Sequence, residues 1–259
     1  MKRRVYIVVL AGLRPEEVGE ALTPNLLALR IDGTYFPQAR SAPAAETIPD
    51  HARMLAPVLD RLPEQGFRTC SVLPDTKHPA DAFTSHALHT MIEQTDPDLV
   101  LVAFGDGDPP LGIVRSLAVR TSDEQVGKLV RHLKATGRWE RSVLVVVAGG
   151  SSPSTGASLQ RHIDADSLLR GKVVVASDQL HWTGPPSDKA VALRHLESVV
   201  SRVCRPATAP VPLLVAGGDP VAGRGVSAAP VSTVDVAPTV GRLFGLPEPP
   251  GGYAGRAFI

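Results

Sequence analysis

The sequence predicts an α/β protein in which a largely parallel sheet lies between two layers of helices. Four short apolar runs are rich in β-branched residues, and they cover 5–10, 98–104, 142–148 and 211–216. Their apolarity is continuous rather than alternating, which is typical of strands buried on both faces. Two further runs, 67–73 and 172–176, are weaker strand candidates.

Helical patterns lie between these runs. They cover residues 24–32, 121–136, 187–203 and 233–244. The first begins with Thr23 and Pro24, a cap followed by a proline at the first helical position. The alternation of strand and helix predicts a doubly wound, three-layer α/β/α sandwich, which we expect to form one domain over residues 1–259.

The composition excludes several classes of protein. Apolar residues make up 43% of the chain, charged residues 20%, and the net charge is +1. No basic block suggests nucleic-acid binding, and no stretch approaches the roughly 18 apolar residues of a membrane span. The two cysteines lie in unrelated contexts, as in a reducing compartment. We expect a cytoplasmic protein that binds neither nucleic acids nor membranes.

The residues after each strong strand are the first candidates for a site. In a doubly wound sheet, ligands bind outside the carboxyl ends of the strands. The segments at those ends are Ala11-Gly12, Asp106-Gly107-Asp108 and Gly149-Gly150-Ser151. We therefore expect these three segments to line one site.

Five segments carry a resemblance to a known family. They comprise residues 8–14 with 23–26 and 33–34, Glu46-Thr47-Ile48-Pro49-Asp50-His51, residues 104–108, residues 123–139 with Gly149-Gly150, and residues 211–217 with 232–239 and 246–247. These segments occur in the same order in the type I phosphodiesterase/nucleotide pyrophosphatase branch of the alkaline phosphatase superfamily, which the chain therefore resembles. The resemblance implies an alkaline phosphatase-like sandwich.

The same resemblance implies a threonine nucleophile and two divalent metals, usually zinc, held by three carboxylates and three histidines. The nucleophile falls at Thr47, and one metal carboxylate falls at Asp108. The other ligand positions hold no ligand, because they fall at Ala11, Gly112, Gly150, Ser151 and the histidine-free stretch 201–210. By this comparison, five of the six metal ligands are lost.

Two further departures concern the substrate. The family's phosphate-binding amide falls at Asp50, whose negative charge would repel a phosphate. The stretch that follows the nucleophile helix and helps to wall the substrate pocket is truncated, since His51 is followed closely by residues 56–58.

The leading hypothesis is a degenerate phosphodiesterase-like protein that has lost two-metal phosphoester hydrolysis. It would act as a binding, scaffold or regulatory protein, with an unidentified protein or a small anionic ligand as its partner. Backbone amides of Gly149, Gly150 and Ser151 could cradle such an anion. In this reading, Thr47 is a helix N-cap and no cofactor is bound.

The alternative is an active phosphate or sulfate ester hydrolase with Thr47 as nucleophile. Asp106 and Asp108, with Asp50 or Glu46, would then hold one divalent cation. Oxygen ligands suit Mg²⁺ or Ca²⁺ better than Zn²⁺, and the candidate cations are Mg²⁺, Mn²⁺ or Zn²⁺. A zinc site at His86 and His89, three residues apart on a helix over 81–93, is a weaker alternative because it lacks a third ligand.

Overall fold

The structure is a computed structural model. It describes residues 2–40, 50–73, 81–105, 113–149, 160, 163–176, 179–192, 195–196 and 210–259. Within these ranges, no helix combines the length and the apolarity needed to cross a membrane.

The centre of the fold is strand β1 (Arg4–Ala11). It runs parallel to β4 (Leu99–Phe104) on one side and to β5 (Ser142–Gly149) on the other. Strand β3 (Thr69–Val72) extends this parallel group beyond β4. Every residue of β1 from Arg4 to Leu10 is buried, which confirms the burial on both faces predicted from the continuous apolar run.

The other half of the sheet is mixed. Strand β8 (Leu213–Ala216) is antiparallel to β5, and β2 (Thr34–Tyr35) is antiparallel to β8. Strand β9 (Gly225–Val226) runs parallel to β2 and completes the order β3-β4-β1-β5-β8-β2-β9. Strands β6 (Val173–Ala176) and β7 (Gln179–Trp182) form a separate antiparallel pair.

Six helices have bounds within the described residues: α1 (Pro24–Asp32), α2 (Asp50–Leu59), α3 (Arg61–Glu64), α4 (Asp81–Thr95), α5 (Ile113–Ala135) and α6 (Val236–Leu243). Helix α5 packs against both α1 and α4, and α2 packs against α6. These helices flank a seven-stranded, mostly parallel sheet, so the predicted α/β/α sandwich is confirmed.

The predicted strands all form, while the predicted helices differ more at their ends. Helix 24–32 matches α1, but α5 starts at Ile113 rather than at residue 121. The buried face of its first half includes Arg115 and Ser122, so the apolar periodicity that marks a helix is interrupted there. Helix 233–244 is a 3-10 turn followed by α6. Of the helix predicted at 187–203, residues 189–192 and 195–196 are helical, and the remainder falls largely outside the described residues.

A cluster of ion pairs joins the amino ends of the parallel strands. The Asp96 carboxylate, just before β4, accepts two hydrogen bonds from the Arg4 guanidinium, one of them 2.7 Å long. Arg68 and Arg138 each approach the same carboxylate to 3.3 Å. The hydrogen bonds from Arg4, more than any other contact, lower the pKa of Asp96 to about 2.

Asp96 therefore makes the stability of the protein depend on pH. Its folded-state pKa lies below the unfolded value, so its contribution is complete above about pH 4 and is lost as the pH falls towards 2. The side chain is 37% exposed, and solvent screening reduces the contribution to about 1 kcal/mol. We expect Asp96→Asn to lower the free energy of unfolding by that amount at pH 7 and by much less near pH 2.

Urea unfolding of both proteins across this pH range checks the prediction. Asparagine suits the backbone at this position, where φ is +46°. A difference between the two proteins that stays constant from pH 7 to pH 2 would contradict it.

Candidate active site

The carboxyl ends of three parallel strands meet at one edge of the sheet. Leu10 pairs with Phe104, and Ala11 pairs with Gly149, so β4, β1 and β5 end side by side. We call this the carboxyl edge. The predicted convergence of Ala11 and Gly149 is thus observed, and both residues lie where a doubly wound sheet binds its ligands.

Small residues occupy the strand ends at the carboxyl edge. A methyl group placed on Gly105 would lie 3.4 Å from the Ala11 methyl, so the two strand ends lie close together. Gly105 also has a φ of +90°, a conformation that favours glycine. A metal ion requires oxygen, nitrogen or sulfur ligands, and Ala11 and Gly105 offer no side chain of that kind.

A buried ion pair holds the turn that follows β1. The Arg115 guanidinium of α5 contacts both carboxylate oxygens of Glu17, at 2.6 and 2.8 Å, and also donates to the carbonyl of Gly12 at 2.7 Å. The side chains of Arg115 and Glu17 are 10% and 11% exposed. The turn beside Ala11 is therefore fixed by α5.

A second carboxylate near this edge also accepts hydrogen bonds from within the protein. Asp81, at the start of α4, is buried, and its oxygens accept hydrogen bonds from the Gly105 amide at 2.7 Å and from the Ser122 hydroxyl at 2.6 Å. Asp81 thereby positions the segment that leaves β4. The sequence gives no local signal for this role, because Gly105 and Ser122 lie 24 and 41 residues further along the chain.

Most of the predicted site residues lie outside the described residues. These are Thr47, Asp106, Asp108, Gly150 and Ser151, together with the ligand position at Gly112. Gly149 is the last residue of β5, and Asp50 is the first residue of α2, with a side chain that is not described. The roles predicted for these residues therefore stay predictions.

The described residues at the carboxyl edge offer few side chains that could hold a metal ion. In that part of the chain, no three histidine, cysteine, aspartate or glutamate side chains are grouped to hold a metal ion. Ala11 carries a methyl group. The carboxylates of Glu17 and Asp81 accept hydrogen bonds from Arg115, Ser122 and backbone amides.

The histidines considered for zinc have a different arrangement. The helix predicted over 81–93 is confirmed as α4, but His89 stacks on His132 of α5, with ring centroids 4.7 Å apart. Burial, and then the proximity of His132, lowers the pKa of His89. The pair is an α4–α5 packing contact, and the described residues add no third ligand to it.

Solved structures with the same architecture identify the fold. A protein in the alkaline phosphatase superfamily from Vibrio parahaemolyticus matches at a TM-score of 0.53 and 14% identity, over 95% of this chain and 67% of that one. A phosphonate monoester hydrolase of Agrobacterium radiobacter matches at 0.58 and 13%, over 99% and 76%. Human ectonucleotide pyrophosphatase/phosphodiesterase 5 matches at 0.56 and 12%, over 98% and 97%.

The chain therefore shares its α/β/α fold with these proteins. That fold is the alkaline phosphatase fold, as the sequence resemblance predicted. No protein-family sequence model matches the chain, and no curated protein sequence does. Identities of 12 to 14% establish the fold alone, so the chemistry has to be argued from the residues of this chain.

The Arg115–Glu17 pair yields a stability prediction for this edge. Arg115→Met would leave the Glu17 carboxylate buried without its partner and the Gly12 carbonyl without its donor, so we expect a loss of about 3 kcal/mol. The double variant Glu17→Gln/Arg115→Met should lose less, because no unpaired charge remains. Denaturant unfolding measures both.

Arg120→Ala provides the matched control. Arg120 also lies on α5 and donates to a backbone carbonyl, that of Ala21, but it is exposed, so its removal should cost no more than about 0.5 kcal/mol. Equal losses for Arg115→Met and Arg120→Ala would rule out a stabilising role for the buried pair.

Proposed function

We propose that this protein is an alkaline phosphatase-fold protein that has lost two-metal phosphoester hydrolysis and acts by binding. The observation that carries the proposal is the methyl group of Ala11 at the end of the central strand. It occupies the position that the sequence resemblance gives to a metal carboxylate, and a methyl group added to Gly105, just after the neighbouring strand, would lie 3.4 Å from it.

The chemistry of the nucleophile supports the same proposal. An unactivated threonine hydroxyl is a poor nucleophile, and family members activate it with metal ions. With a methyl group at position 11, Gly112, Gly150 and Ser151 at three other ligand positions, and no histidine in residues 201–210, Thr47 lacks those ions. We assign Thr47 a structural role as a helix cap.

The proposed ligand is a small anion or a protein surface. The backbone amides of Gly149, Gly150 and Ser151 would cradle an anion at the carboxyl end of β5 without a metal. The buried Arg115–Glu17 pair fixes the turn after β1, and the Asp81 contacts fix the segment that leaves β4. The carboxyl edge therefore keeps its shape without bound ions. We propose no cofactor for this function.

Phosphoester hydrolysis tests the loss of chemistry. We expect wild-type protein and Thr47→Ala to show the same background release of nitrophenol from nitrophenyl phosphate and bis(nitrophenyl) phosphate. The result should not change when Mg²⁺, Mn²⁺ or Zn²⁺ is added, because no activated nucleophile exists. Thermal melting of both proteins confirms that the variant is folded.

The competing hydrolase, in which Asp50, Asp106 and Asp108 hold one cation, gives the opposite result. Turnover that requires Mg²⁺ or Mn²⁺ and disappears in Thr47→Ala would refute the proposed loss of hydrolysis. Stabilisation of the wild-type protein by phosphate or sulfate, without turnover, would support binding of an anion.

A further inference from the structure

A cavity lies at the edge of the sheet opposite the carboxyl edge. Because β8 is antiparallel to β5, the chain that leaves β8 after Ala216 passes the amino end of β5. There the amide of Gly218 donates to the carbonyl of Trp139 at 3.1 Å, and that of Asp219 donates to Ser142 at 3.3 Å. The space between this loop, α1 and α5 has a volume of about 970 Å³, and we call it the amino-edge cavity.

Close packing builds the walls of the amino-edge cavity. Gly127 of α5 has no room for a side chain, since a Cβ atom there would lie 2.3 Å from the Asn25 amide oxygen of α1. The buried Asp123 carboxylate ties the two helices together, accepting from the Asn25 amide side chain at 2.7 Å and from the Leu26 backbone at 2.8 Å. A volume of this size, between fixed elements, suits a small-molecule ligand.

The loop side of the cavity is equally constrained. A Cβ atom on Gly217 would meet the carbonyl of Ser142 at 2.0 Å, and one on Gly218 would meet the Cα of Glu140 at 2.5 Å. Gly217 also has a φ of +143°. The loop thus lies directly against the sheet, and the space beside it stays open.

Charged side chains of both signs line the cavity. Arg131, Lys134 and Arg224 provide three cations, and Asp32 and Glu140 provide two carboxylates. A third carboxylate, Asp219, is already paired with Arg3 at 2.7 Å. Arg131 and Arg224 make no ion pair within the described part of the chain, so their guanidinium groups are available to an oxyanion.

The remaining lining indicates the rest of the ligand. Trp139 is half-buried, and the Lys134 ammonium lies 5.3 Å from its ring centroid, so an aromatic surface and a cation are adjacent. The exposed carboxylates of Asp32 and Glu140 can accept hydrogen bonds from hydroxyl groups, and they would repel a bare multivalent anion.

We propose that the amino-edge cavity binds a phosphate or sulfate monoester of a hydroxyl-bearing ring compound. Arg131 and Arg224 hold the oxyanion, Trp139 packs on the ring, and Asp32 and Glu140 accept from the ring hydroxyls. A nucleoside monophosphate and a sugar phosphate share this chemistry. The cavity is separate from the carboxyl edge, so this site does not depend on whether Thr47 is catalytic.

Tryptophan fluorescence tests the proposal, because the chain has only two tryptophans. In a Trp182→Phe background Trp139 becomes the sole reporter, and it lines the cavity. We expect a saturable change in its emission with AMP, with glucose 6-phosphate or with both. Comparing the two esters shows whether the cavity binds a nucleoside monophosphate or a sugar phosphate. Adenosine and inorganic phosphate should bind at least about tenfold more weakly than the better ester.

Variants assign the signal to the amino-edge cavity. Arg131→Ala/Arg224→Ala should weaken binding more than about tenfold, because two charge-assisted contacts are removed. Arg242→Ala, which removes an exposed arginine outside the cavity, and Thr47→Ala should leave affinity unchanged. Absence of a saturable change with either ester at millimolar concentrations would overturn the proposal, and so would equal affinity in the double variant.

Discussion

The burial of β1 between two parallel neighbours is the constraint on which the rest of the structure depends. Residues Arg4–Leu10 are buried and paired with β4 and β5 over almost their full length. That pairing sets the register of three strands at once. It brings Ala11 and Gly149 together at the carboxyl edge and places Arg4 next to Asp96 at the amino edge.

The two edges of this sheet differ in chemistry. At the amino edge, Asp96 contacts three arginines, and Asp98 accepts from Lys2 at 2.8 Å. At the carboxyl edge, the described strand ends carry the methyl group of Ala11 and the bare backbone of Gly105. The charged groups beneath that edge, Arg115 and Asp81, bind the protein itself. The described charged groups at the carboxyl edge thus hold the fold together.

The sequence predicted the parallel strands well because each is a continuous apolar run, and burial on both faces requires such a run. It did not predict β2 or β9, which have two residues each and form through partners far along the chain. The early start of α5 was missed because Arg115 and Ser122 interrupt its apolar face. Local pattern carries no information about such long-range pairing.

In the candidate site, the sequence predicted only the residues that lie at the ends of the buried strands. Ala11 and Gly149 lie together as expected from the end of each apolar run, whereas the contacts of Arg115 and Asp81 join residues distant in sequence and could not be predicted. We propose that the carboxyl edge no longer binds two metals. Zinc content after incubation with excess Zn²⁺ and desalting, measured by mass spectrometry, tests it most directly. We predict no stoichiometric zinc; two equivalents per chain would contradict the claim.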